Sequence, residues 1–335
     1  MKNTHFGNLP TGEEVSIYKI GDENCIASIM DFGATITGFE CFGKDIIGGF
    51  DSLTDYLNDT SHQGGTIGRV ANRVGGATFN MDGAIYMLPD NDNGNCLHGG
   101  CGFDRRIWTV KEHKKNSIIF TYFSEDGEEG FPGGLDVTVT YTITDDTLLI
   151  DYKATPTAKT PIALTNHSYF NLNGFAGTIL THKVKIHADK YTEVDENLIP
   201  NGKRPCVNGT PFDFTEPHEI GERIGGDFIG YDHNFVINSE ISKEIYGQSL
   251  SLIAEIEADE LCMEVYSDQP GVQFYIGNFL GDGPSFKGGV KQIRHGAFCL
   301  ETQTEPNIIN RGEAFYDAGQ TYTHTTAYKI KKKGE

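Results

Sequence analysis

The feature that most constrains this chain is a pair of runs with a two-residue period. In LDVTVTYTIT (135–144), Leu135, Val137, Val139, Tyr141 and Ile143 alternate with Asp and Thr. After Asp145-Asp146, TLLIDYKAT continues with Leu148, Ile150, Tyr152 and Ala154 in step. Alternation at period two puts one side of each run in a core and the other toward water, and the short polar break between them predicts a hairpin. GATFNMDGAIYML (76–88) repeats the pattern around Asp82-Gly83, the turn pair favoured in two-residue hairpins. SIIFTYF, HKVKIHA, SLSLIAEIEA, LCMEVYS and GVQFYIGNFL read as further strands.

Helical signals are confined to two short stretches, SLTDYLND (52–59), with Ser52 as a cap, and PHEIGERIG (217–225). No alternation of strands with helices is found, which excludes a parallel α/β sheet. No linker, low-complexity tract or short repeat interrupts the pattern. The expected fold is all-β, one large antiparallel β-sandwich domain spanning 1–335.

Composition then limits the partners. The formal charge of -20 disfavours nucleic acid and anionic lipid, and favours a neutral or cationic small molecule. No apolar run reaches the ~18 residues of a membrane span, and the N-terminal MKNTHFGNLPTGEE has no apolar signal region. The seven cysteines (25, 41, 96, 101, 206, 262 and 299) are scattered and odd in number. They are expected to be reduced thiols in a cytoplasmic protein. CLHGGC lacks the second ligand pair of a zinc site, so no metal is expected there. DNDNGN (90–95) has its glycine at the fifth position and Cys101 where a calcium loop needs glutamate, so it is read as a turn.

Four polar clusters break the strand pattern: GRVANRV (68–74), CLHGG (96–100), TNHSYFNL (165–172) and CLETQTEPN (299–307), with GYDHNF (230–235) as a smaller fifth. Singly, each has an ordinary explanation. Arg69 and Arg73 fit surface or ion-paired arginines, His98 a loop histidine, and Asp232 a turn cap. Glu301 is less ordinary, because a carboxylate following Phe298-Cys299-Leu300 in a buried strand needs a partner or a task.

Together these clusters resemble the aldose 1-epimerase (galactose mutarotase) family across nearly the whole chain. The shared order runs GGFDSLTDYL, GRVANRV, LHGG, GFDRRIW, EDGEEGFPGGLDVTVTY, TNHSYFNL, YDHNF, QFYIGNFL, LETQ. The resemblance implies a galactose mutarotase-like supersandwich and an isomerase of free hexoses that needs neither cofactor nor metal. It implies His167 as general acid toward the ring oxygen, Glu301 as general base toward the anomeric hydroxyl, and His98 on the ring-oxygen side. Asn72, Arg73, Asp232 and Gln273 are then expected to bond sugar hydroxyls, with Tyr169 in the pocket wall. Ile276 stands where threonine is expected and Asn307 where many members carry aspartate, which bears on substrate preference alone.

The chemistry suits these residue types. Opening a hemiacetal moves one proton off the anomeric oxygen and another onto the ring oxygen, so one base and one acid must flank the reacting centre. A glycoside hydrolase using Asp232 and Glu301 is the rival enzyme reading, and it leaves His98 and His167 without a role. A non-catalytic sugar-binding protein on the same fold is the other. The absence of an obvious basic phosphate cluster argues against phosphorylated sugars. Monomer and homodimer both remain open.

Overall fold

The structure, a computed structural model, describes residues 3–334. The alternating runs pair as the sequence predicts. Strands Leu135–Thr144 and Thr147–Pro156 form a hairpin in which Thr144 faces Thr147, and Asp145 takes a left-handed φ of 52° in the turn. Thr78–Met81 and Ala84–Met87 pair the same way around Asp82-Gly83, both at positive φ. The first hairpin lies within a ten-stranded sheet, beside the C-terminal strand Tyr322–Lys332.

Two smaller antiparallel sheets complete the sandwich. One has five strands, from Thr4–Asn8 to Lys44–Asp45. The other has four, in the order Lys190–Tyr191, Asp232–Val236, Gly271–Tyr275, Cys299–Gln303. A single apolar cluster joins all three: Ile29, Ile36 and Phe39 come from the five-stranded sheet, Val137 and Val139 from the ten-stranded sheet, and Phe235 and Phe274 from the four-stranded sheet. This is the layered solution expected when each sheet has one apolar face to bury.

Among the described residues, α-helix is confined to Leu53–Asn58. Ser52 caps it, its Oγ accepting from the Asp55 backbone N–H at 3.2 Å. PHEIGERIG departs from the helical expectation. His218–Glu219 pairs as a short strand, and only Ile220–Arg223 forms a single 3₁₀ turn. No helix among the described residues is long and apolar enough to cross a membrane.

One expectation is overturned. Cys25 and Cys41 are joined by a disulfide, so the seven cysteines are not all reduced thiols. Strands Cys25–Met30 and Thr35–Cys41 are antiparallel neighbours, and their register sets Cys25 directly opposite Cys41, with 4.3 Å between Cα atoms. Antiparallel pairing brought together two cysteines sixteen residues apart, which no spacing motif marks.

Candidate active site

The four-stranded sheet separates chemistry from core by its pleat. Cross-strand partners share a face, so Asn234, Gln273 and Glu301 stand in one row, and Asp232, Tyr275 and Cys299 in the next. The alternate rows, Phe235 with Val272 and Phe274 with Leu300, belong to the apolar core. Glu301 is therefore a carboxylate on the polar face of a fully buried strand, at 2% exposure.

TNHSYFNL brings His167 to the same place. Thr165–Asn166 pairs with Thr66–Ile67, and the chain is pinned further by the His167 N–H on the Gly65 carbonyl and the Gly64 N–H on the His167 carbonyl. His167 Nε2 then lies 3.7 Å from Glu301 Oε1. The Tyr169 ring stacks on the imidazole at 5.0 Å between centroids. On the other ring nitrogen, Cys299 Sγ sits 3.6 Å from His167 Nδ1. Burial holds that cysteine as a thiol, and a thiol both donates and accepts weakly, so it suits either protonation state of the ring.

GRVANRV and CLHGG meet because their glycines allow it. Gly99 has a φ of 77°, and a Cβ there would collide with the Gly68 carbonyl. Asn72 and His98 both sit in the left-handed region, which Asn and His enter more readily than most residues. The Asn72 backbone N–H donates to His98 Nδ1 at 3.2 Å. An accepting Nδ1 carries no proton, so neutral His98 presents an Nε2–H donor. Burial, reinforced by His62, His167 and Arg73, holds His98 neutral.

These side chains line a cavity of about 200 Å³. All the expected sugar-binding residues line it except Gln273, which stands behind and donates from Nε2 to Asp232 Oδ1 at 2.7 Å. Arg73 is held at the cavity by Asp92, Nε to Oδ2 at 2.7 Å. Arg69, from the same motif, is a buried brace that donates to Ser124 Oγ and the Gly133 carbonyl.

Charge in the cavity follows burial. Burial raises the Glu301 carboxyl well above its usual range, Asp232 adds to this, and Arg73 opposes it. Burial also depresses His167 to about 3, with His62 adding to the effect. These shifts run in opposite directions and favour the proton of the pair on Glu301, with His167 neutral. Asp232 is raised by burial as well, against the pull of Arg73 and Gln273. His98, His167 and Glu301 bring one donor atom each within 4.8 Å of one another, a set a transition-metal ion would accept.

A family model described as aldose 1-epimerase matches residues 16–329. The chain belongs to the aldose 1-epimerase family. Galactose mutarotase from Homo sapiens is 40% identical over 337 residues, covering 97% of this chain and 97% of its own. Aldose 1-epimerase from Escherichia coli (strain K12) is 34% identical over 324 residues, covering 91% and 92%. The solved GalM/aldose epimerase homologue from C. elegans superposes with a TM-score of 0.87 at 26% identity, covering 95% of this chain and 99% of that one.

Several residues of this aldose epimerase site escaped sequence reading. His62 and Tyr275 line the cavity, Cys299 touches His167, and Asp92 anchors Arg73. His62 carried a signal, since it lies in the glycine-bounded stretch just before GRVANRV. Asp92 sat in a segment read as a turn, and it is one: Asp92 bridges Asn95. Its pairing with Arg73 depends on tertiary placement alone.

Proposed function

We propose that this aldose 1-epimerase interconverts the α and β anomers of free hexoses such as galactose and glucose, with Glu301 as base and His167 as acid. The observation that carries this reading is the buried 3.7 Å approach of His167 Nε2 to Glu301 Oε1 at a cavity of about 200 Å³.

In ring opening, the Glu301 carboxylate takes the proton from the anomeric hydroxyl, and that oxygen forms the carbonyl. The bond from the anomeric carbon to the ring oxygen breaks, its electron pair leaves with the ring oxygen, and His167 delivers a proton there. Rotation about the next carbon–carbon bond and the reverse transfers give the other anomer. Each positioned group supplies roughly 10²–10⁴-fold.

The charge state that burial favours fits one half of this cycle. Protonated Glu301 with neutral His167 is the form the pair reaches once the ring has opened. Burial thus favours the open-chain half-reaction. A bound pyranose favours the other tautomer, because its anomeric hydroxyl donates to the carboxylate. His98 Nε2–H donates on the ring-oxygen side. Arg73 and Asp232 bond the remaining hydroxyls, charged partners making the stronger bonds.

The expected cytoplasmic setting belongs to the same proposal. Five free cysteines support it, and the Cys25–Cys41 bond is the observation against it.

Polarimetry of freshly dissolved α-D-galactose and α-D-glucose tests the reading. Rotation should decay faster with enzyme and reach the same final value. Folded protein that leaves both decays unchanged overturns it.

A further inference from the structure

His62 is a cavity-lining imidazole to which the proposed reaction assigns no role. It lies in the stretch Thr60–Gln63 and takes a left-handed φ of 58°. Its side chain is 15% exposed, at the cavity wall. The ring packs edge-on against His98, with centroids 4.8 Å apart, and lies 6.1 Å from His167.

The orientation of this ring is fixed from behind. Nδ1 lies 2.8 Å from Asp104 Oδ2, and Asp104 is buried. Burial works against the Asp104 charge, yet His62 and Arg105 together hold the carboxyl below its usual range. A charged carboxylate only accepts, so His62 Nδ1 donates. Among the described residues, Nε2 has no hydrogen-bond partner. A carboxylate that pins one imidazole nitrogen and leaves the other facing a cavity is the arrangement by which histidines are aimed at ligands.

Position selects what that nitrogen meets. The rings that His62 neighbours are those of His98 and His167, the two groups that the proposed reaction places on the ring-oxygen side. His62 therefore stands at the ring-oxygen end. The ring oxygen of a pyranose has two carbon neighbours. The anomeric carbon is taken by Glu301, and the other carries the exocyclic hydroxymethyl group of a hexose.

We infer that His62, aimed by Asp104, is a specificity-determining residue whose Nε2 hydrogen-bonds the exocyclic 6-hydroxyl of the hexose. This rests on the mutarotation reading above. A site built to bond a hydroxyl discriminates against the analogue that lacks it, because its polar group is left unpaired.

The test compares D-galactose with 6-deoxy-D-galactose by polarimetry, in the wild-type enzyme and in His62→Ala, His62→Gln and Asp104→Asn. The wild type should prefer galactose in kcat/KM by about tenfold, the size of one hydrogen bond. His62→Ala should bring the ratio of the two sugars close to one, His62→Gln should restore part of it, and Asp104→Asn should lower it with His62 still present. A ratio that stays at its wild-type value in His62→Ala, or a wild-type enzyme that does not distinguish the sugars, overturns the inference. A folded wild-type enzyme inactive on both sugars overturns the mutarotation reading instead.

Discussion

His167 Nε2 and Glu301 Oε1 face each other at 3.7 Å, both buried, and burial lowers the pKa of the imidazole while it raises that of the carboxyl. Glu301→Gln removes the proposed base and keeps its shape, while His167→Asn removes the proposed acid. Each should lower kcat by roughly 10²–10⁴-fold with an unchanged circular dichroism spectrum. Near-wild-type turnover in either folded variant removes that residue from its role.

The same pair fixes a pH dependence. The pair takes a second proton only near the depressed His167 value of about 3, and loses its single proton only above the raised Glu301 range. Between these limits the singly protonated form persists, and it titrates as a unit. kcat/KM, followed by polarimetry, should therefore show no inflection near about 6.5, where a free histidine titrates. A clear sigmoid there contradicts the shared-proton account.

Arg73 reaches the proposed sugar site from a fixed base. Its Nε bonds Asp92 Oδ2 at 2.7 Å, and both side chains are largely shielded from solvent. Asp92→Asn keeps the shape and loses the charge. KM should rise several-fold with kcat changed less, because Arg73 binds hydroxyls and moves no proton in the proposed reaction. Initial rates across sugar concentrations separate the two.

How much of this was legible in the sequence depends on the range of the interaction. The hairpin at Asp145-Asp146 and the helix at Ser52 follow from periodicity and capping, which act over a few residues. Glu301 could be singled out because a carboxylate in an apolar run is costly without a purpose. Assigning roles to His167 and His98 needed the family pattern, although both lie in clusters that break the strand alternation. Asp92, Cys299 and the Cys25–Cys41 pair were invisible, because each depends on strand register or tertiary approach between distant segments.

The disulfide gives a direct count. Thiol titration of the denatured, unreduced protein should find five thiols, rising to seven after reduction. The bond closes a loop of about fifteen residues, which corresponds to roughly 3 kcal/mol by chain entropy. Cys41→Ser should lower the stability measured by urea unfolding by about that amount. Mutarotation should be unaffected, because neither cysteine lines the cavity. Seven thiols without reductant would rule out the bond in the isolated protein.

His324 ties the segments that carry His167 and Glu301 together from behind. Its Nδ1 donates to the Leu164 carbonyl at 3.1 Å, three residues before His167. Its Nε2 lies 3.0 Å from the hydroxyls of Thr302, next to Glu301, and Thr326; these also bond each other, so one of them donates to the ring. This is a neutral ring with both nitrogens committed, and burial depresses its pKa to about 4. The unfolded chain binds the proton near about 6.5, so between the two values it holds more protons than the folded chain. The stability is complete above the unfolded value and is lost as pH falls toward about 4. His182 and His233, also depressed to about 4 by burial, act in the same direction. Glu301 opposes them, because its raised carboxyl costs stability as pH rises. Comparison with His324→Gln isolates one group from this sum. Between pH 7 and pH 5, the stability advantage of the wild type over the variant should shrink by about 1–2 kcal/mol. If His324 also aligns the pair, kcat of the variant at pH 7 should fall while its secondary structure is retained. A stability difference that does not change with pH would mean that the ring titrates alike in the folded and unfolded chains, which its two committed nitrogens forbid.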